Sequence, residues 1–137
     1  MRSTEHALVG ALTSGFATRV LFRHAARPPK LALWAFGTIL SVAVDLDHFV
    51  VARLKTGSWH SLRAVLAEPR AAVLGNQGWI FADAPPMATA RLRSHAALTV
   101  ALALLCLAAR RTRVAVFTTA VLAVHVGCDL LRDREVV

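Results

Sequence analysis

The sequence predicts an all-α protein, an integral membrane four-helix bundle with an interfacial amphipathic segment between helices two and three. Three observations carry that expectation. Hydrophobic residues make up 56% of the 137 positions and tyrosine is absent, whereas an ordinary soluble domain is about half apolar. Those residues gather in four long proline-free runs rich in Ala, Val and Leu, whose length suits helices better than strands. Half of the glycines and prolines, Gly57, Pro69, Gly75, Gly78, Pro85 and Pro86, fall in one intervening segment, Ala52 to Ala90. At this length the chain reads as one domain, residues 1–137.

The first helix is expected over residues 6–22. Thr4 or Ser3 is placed to cap it, and Glu5 suits the positive end of its dipole. Ala7, Gly10, Ala11 and Ser14 form a small-residue stripe that reads as packing. Pro28-Pro29 separates this helix from the second, expected over residues 31–51. The segment 52–90 differs in kind. Trp59, Leu62, Val65 and Leu66 recur at helical spacing, which predicts a short amphipathic helix at headgroup level with Trp59 and Trp79 as anchors. That segment is expected to cap one mouth of the bundle. The third and fourth helices are expected over 95–109 and 114–131, joined by Arg110-Arg111-Thr112-Arg113.

A membrane span needs about 20 apolar residues, and the uncharged cores here are shorter. Snorkelling arginines and tilt cover part of the deficit. A compact soluble helical bundle is the alternative, and apolar residues on every face argue against it. The net charge of +8 comes from 16 basic residues, of which only Lys30 and Lys55 are lysine. No basic recognition helix or aromatic ladder accompanies them, so membrane topology and anionic headgroups explain the charge better than nucleic acid does. The basic, acid-free loops 23–30 and 110–113 favour a cytoplasmic location, although the other end carries basic residues too. The location expected is a multi-pass protein of a cell membrane, inner-membrane type, with membrane lipid as partner and no nucleic acid. Cys106 and Cys128 form no CxxC pair and read as small buried hydrophobes. No cleavable signal peptide is evident, because the first run is interrupted by Arg19.

Against this apolar background the ionisable residues are conspicuous. Asp45, Asp47, His48, His95, His125 and Asp129 lie inside or at the ends of apolar runs. Burial there is costly unless such groups are paired, metal-bound or in a polar cavity. Carboxylate and imidazole are ligand types that divalent metals accept. His125 and Asp129 share a helix face at i and i+4; so do Asp45 and His48 at i and i+3, while Asp47 points away unless the helix unwinds there. If four helices alternate in direction, His6, Asp45, Asp47, His48, His95 and Asp129 all fall at one end, with His125 one turn deeper. The expectation is one cluster with His6 at its edge. Plainer readings are a buried His–Asp hydrogen bond, a helix cap at Asp47, and interfacial histidines. Arg91 and Arg93, beside His95, could attract a phosphate at the mouth, or simply contact headgroups. His24 and His60 fall outside the expected site.

The early histidine in Glu5-His6-Ala7-Leu8-Val9-Gly10, the Asp45-Leu46-Asp47-His48 motif and the late His125-x-x-x-Asp129 resemble the YdjM-like inner-membrane family. Its members are described as predicted membrane-bound metal-dependent hydrolases, and that family is in turn similar to the zinc-dependent phospholipase C and P1 nuclease group. The resemblance covers both ends of the chain, with His95 in Arg93-Ser94-His95 supporting the middle. It implies ligand roles for His6, Asp45, Asp47, His48, His125 and Asp129. Val44 stands where the family usually has proline, and only His60-Ser61 corresponds to a longer histidine stretch that follows the Asp-x-Asp-His.

The expected function is hydrolysis of a phosphoester, such as a phospholipid or lipid-linked phosphate, by one or two divalent metals, zinc first, manganese or iron otherwise. Asp47 or Asp129 is the expected general base where it is not a ligand. The alternative is a metal-binding membrane protein without hydrolase activity: a transporter, a sensor or a structural protein.

Overall fold

The computed structural model describes residues 3–75 and 77–133, and among them every regular element is helical. Helix α1 spans Ser3–Leu21 and α2 spans Arg27–Ala43. A single 3-10 turn, Val44–Leu46, leads directly into α3, Asp47–Thr56. Two short helices follow, α4 (His60–Ala67) and α5 (Pro69–Leu74), then a second 3-10 turn at Gln77–Phe81. Helices α6 (Ala88–Ala108) and α7 (Thr112–Asp133) complete the described residues.

Several boundaries differ from the sequence expectation. Pro28 and Pro29 do not precede α2 but sit in its first turn, where a missing N–H costs nothing. The second rod does not end at Val51: α2, the 3-10 turn and α3 form a continuous Arg27–Thr56 stretch. It stops at Gly57, whose φ of 74° gives the left-handed conformation that closes the helix onto the Arg53 carbonyl. Residues 52–56 and 88–90 therefore belong to long helices rather than to the cap. The expected N-cap of α1 lies at the edge of the described residues: Thr4 is already inside the helix, and the side chain of Ser3 lies outside them.

Helices α1 and α2 run antiparallel and very close. Gly10 lies against Ser41, and Ser14 lies against Gly37, so each helix offers a Gly-x-x-x-Ser pair that fits the other. Trp34 Nε1 donates to the Ala11 carbonyl at 3.0 Å, and Ser41 Oγ donates to the His6 carbonyl at 2.9 Å. Helix α7 packs against α1, α2 and α6, and α3 packs against α6. Ala17, Phe117 and Val121 form an apolar cluster towards the basic loops. A second cluster of Val51, Ala52 and Met87, flanked by Phe81 and Ala84, joins the cap to α3 and α6. The polar residues gather between these two apolar layers.

Three helical stretches are long and apolar enough to cross a membrane: Arg27–Thr56, Ala88–Ala108 and Thr112–Asp133. Helix α1, with Glu5, His6 and Arg19 in 19 residues, is not among them. Cys106 and Cys128 are free and only partly buried, so neither is the fully buried hydrophobe that its apolar neighbours suggest. Both lie on helix faces that other helices leave partly uncovered.

Candidate metal centre

Four chain segments bring seven ionisable side chains together. His6 comes from α1, Asp45 from the 3-10 turn, and Asp47 and His48 from the first turn of α3. His95 comes from α6, and His125 and Asp129 from α7. His6, His95, His125 and Asp129 are almost fully buried, while the Asp45 side chain keeps 20% of its surface. His6 is not at the cluster's edge, because its ring stacks on His125 with centroids 4.1 Å apart.

Asp45 is the centre. Its Oδ1 lies 3.3 Å from His125 Nε2, 3.4 Å from His95 Nε2 and 3.5 Å from His48 Nε2. Its Oδ2 lies 3.7 Å from His6 Nε2. Asp129 faces the same rings: Oδ1 is 3.3 Å from His6 Nε2, and Oδ2 is 3.4 Å from His125 Nε2 and 3.7 Å from His95 Nε2. His48 Nε2 and His95 Nε2 face each other at 3.2 Å.

Asp47 also reaches this layer, helped by a change of winding beside it. An α-helix turns about 100° per residue and a 3-10 helix about 120°. Three residues of 3-10 turn ahead of Asp47 rotate it towards the face that Asp45 and His48 share. Its Oδ2 lies 2.9 Å from His95 Nδ1, while its Oδ1 is 3.8 Å from His48 Nε2.

The spacing separates two interpretations. Hydrogen bonds between nitrogen and oxygen fall at about 2.7–3.2 Å, and most contacts around Asp45 are longer. Ligand atoms 2.0–2.2 Å from a tetrahedral metal stand about 3.3–3.6 Å from one another. The contacts of Asp45 with His95 and His48, at 3.4 and 3.5 Å, match that spacing, while His48 and His95 at 3.2 Å are also within hydrogen-bond range. Two donor sets can each hold an ion: His6, Asp45, His125 and Asp129, and then Asp45, His48 and His95. Asp45 belongs to both, and Asp47 to neither. Asp45 Oδ1, His6 Nδ1 and both ring nitrogens of His125 are buried without a hydrogen-bond partner. Buried polar atoms in that condition are costly unless something else satisfies them.

Around the cluster, Phe81 meets the His48 ring edge-on at 6.0 Å. Arg91 Nη2 bonds both carboxylate oxygens of Asp133 at 2.9 and 3.2 Å, one helical turn beyond the His95–Asp129 layer, whereas Arg93 is exposed. His60 is exposed and faces Asp83 at 3.9 Å, apart from the site. Sequence reasoning missed Ser41, which fastens α2 to the His6 backbone. The signal was the Gly37-x-x-x-Ser41 spacing, which gains meaning only beside Gly10-x-x-x-Ser14. It also missed Phe81, whose position depends on how the cap folds. No family model, curated protein or solved structure matches the chain. The functional reading therefore rests on the residues and their geometry.

Proposed function

We propose that this protein is a membrane-embedded metal-dependent hydrolase that acts on a phosphoester at headgroup depth, as the YdjM-like resemblance implies. The convergence of imidazoles and carboxylates from α1, the 3-10 turn with α3, α6 and α7 at ligand-like spacing carries the reading. In this assignment His6, Asp45, His125 and Asp129 hold one divalent ion, and Asp45, His48 and His95 hold a second. The histidines favour zinc, with manganese or iron acceptable to the carboxylates. When bound, such ions supply Lewis acidity and a water that is nucleophilic near neutral pH. Two divalent ions outweigh the charge of Asp45, Asp47 and Asp129, leaving a net positive site that suits an anionic phosphoester. One ion leaves it net negative. Asp129 faces His6 and His125 from the inner side of the cluster; the partly exposed Asp45 marks the side from which substrate arrives.

The membrane reading extends to α1, making a bundle of four spanning helices. Leu8, Leu12, Phe16 and Val20 are each more than half exposed along one stripe of α1, while His6, Ser14 and Thr18 are buried on the other side. A helix with apolar residues outward and polar residues inward fits lipid surroundings, the reverse of the arrangement in water. At 1.5 Å per residue, Asp45 lies about 27 Å along its rod from Arg27, close to the roughly 30 Å hydrocarbon thickness. The cluster then sits near one interface, with the cap beyond it among headgroups.

A transporter is the second reading, favoured by the buried hydroxyls of Ser14, Thr18, Ser41 and Thr118 in the interior. Among the described residues the opposite end offers no second donor set, which weighs against a through-path. Elemental analysis of purified protein, followed by hydrolysis of phospholipid and lipid-phosphate substrates, tests the proposal. Stoichiometric transition metal with phosphoester cleavage supports it. Metal without cleavage, combined with metal flux in proteoliposomes, favours transport, and protein without metal sinks both.

A further inference from the structure

We propose that Asp47 is a positioning residue and not a metal ligand: it holds the His95 ring so that Nε2 faces both donor sets. The inference rests on the metal-site reading above and assigns a role that sequence spacing cannot distinguish from ligation. Its main support is a difference in distance. Asp47 Oδ2 lies 2.9 Å from His95 Nδ1, within the range of a charge-assisted hydrogen bond. The contacts of Asp45 Oδ1 with His48, His95 and His125 are all 3.3–3.5 Å. An ionised carboxylate only accepts, so His95 Nδ1 carries the proton and donates it to Asp47. The His95 Nε2 lone pair is then free, and that atom stands 3.2 Å from His48 Nε2, 3.4 Å from Asp45 Oδ1 and 3.7 Å from Asp129 Oδ2. His95 is a donor of the set it forms with Asp45 and His48, and its Nε2 also faces Asp129 of the other set, so its ring orientation bears on the shared Asp45 layer. A carboxylate behind a ligating imidazole is the usual means of fixing that orientation.

The 3-10 turn contributes, since its tighter winding turns Asp47 part of the way towards the face that Asp45 and His48 share. The competing role is visible in the same side chain. Asp47 Oδ1 is buried without a hydrogen bond, 3.8 Å from His48 Nε2, and would be the ligating atom if Asp47 bound metal directly.

The test uses full-length protein in detergent, titrated with Zn2+ and, separately, with Co2+, whose visible bands report the donor set. Asp47→Ala is expected to weaken Zn2+ binding about 10- to 100-fold while leaving saturated stoichiometry and the Co2+ bands as in wild type. Asp47→Asn, whose amide oxygen still accepts from Nδ1–H, is expected to recover most of the affinity. Asp45→Ala, which removes a shared ligand, should lower stoichiometry and shift the bands. The inference is overturned if Asp47→Ala behaves like Asp45→Ala, or if its affinity matches wild type. Where Asp47→Ala does not fold, Asp47→Asn decides alone: altered stoichiometry or bands overturn the positioning role. Wild-type protein that takes up neither ion overturns the site reading as well, whereas failure confined to the Asp47 variants overturns only this inference.

Discussion

His125 and Asp45 show how much depends on single atoms. His125 Nε2 lies 3.3 Å from Asp45 Oδ1, yet neither atom has a hydrogen-bond partner, and both are buried. Removing either side chain deletes a donor from the cluster and leaves a neighbouring charge or lone pair facing a void. Since changes behind the ligands already cost roughly 10- to 100-fold in affinity, His125→Ala and Asp45→Ala should each weaken metal binding by at least about tenfold. Metal content after dialysis against buffer measures this. His24→Ala, at the opposite end and outside the cluster, is the matched control and should keep wild-type metal. Equal loss in His24→Ala would remove the shared-site explanation. The donor types and the i, i+4 pairing of His125 with Asp129 were legible in the sequence. The central place of His6 was not, because stacking on His125 depends on the approach of α1 to α7, not on anything local to residues 5–10.

At the scale of elements, the contact between α1 and α2 determines where His6 stands. A Cβ at Gly37 would overlap the Ser14 hydroxyl and the Phe117 ring, and neither has space to retreat within the packed interior. Gly37→Val should therefore cost about 1–3 kcal/mol of stability through overpacking and reduce metal affinity by displacing α1. Gly127 provides the contrast, since a Cβ there meets nothing within 4 Å. Gly127→Ala should gain about 0.5–1 kcal/mol, the usual helix-interior difference. Thermal unfolding in detergent distinguishes the two; a neutral Gly37→Val would show that the helices are not held at this distance. The small-residue stripe on α1 could be read directly, but its Gly37–Ser41 counterpart acquires meaning only from the antiparallel register. The 3-10 turn was not foreseen: unwinding was the expected condition for Asp47 to face the site, the turn is wound more tightly instead, and Val44-Asp45-Leu46 carries no glycine or proline to announce it.

For the molecule as a whole, the arrangement predicts a sidedness. The cap residues Ser58 and Gly75 should label on the same membrane side as the N-terminus, and Thr112 on the opposite side. Single cysteines introduced into protein lacking Cys106 and Cys128, with an impermeant thiol reagent, provide the measurement. Thr112 labelling together with Ser58 would show that α6 does not span, and would exclude the four-span bundle. The helical character, the apolar stretches and the gathering of ligand-type residues towards one end were all legible in the sequence, because those properties follow from residue type and a periodicity of a few positions. Tertiary structure decided which atoms meet. His48 and His95, 47 residues apart in sequence, face each other at 3.2 Å, and Asp45 belongs to two donor sets. Helical phase sets the direction of a side chain within its own helix, whereas separations of tenths of an ångström between donors arise from the packing of distant helices, which local spacing does not encode.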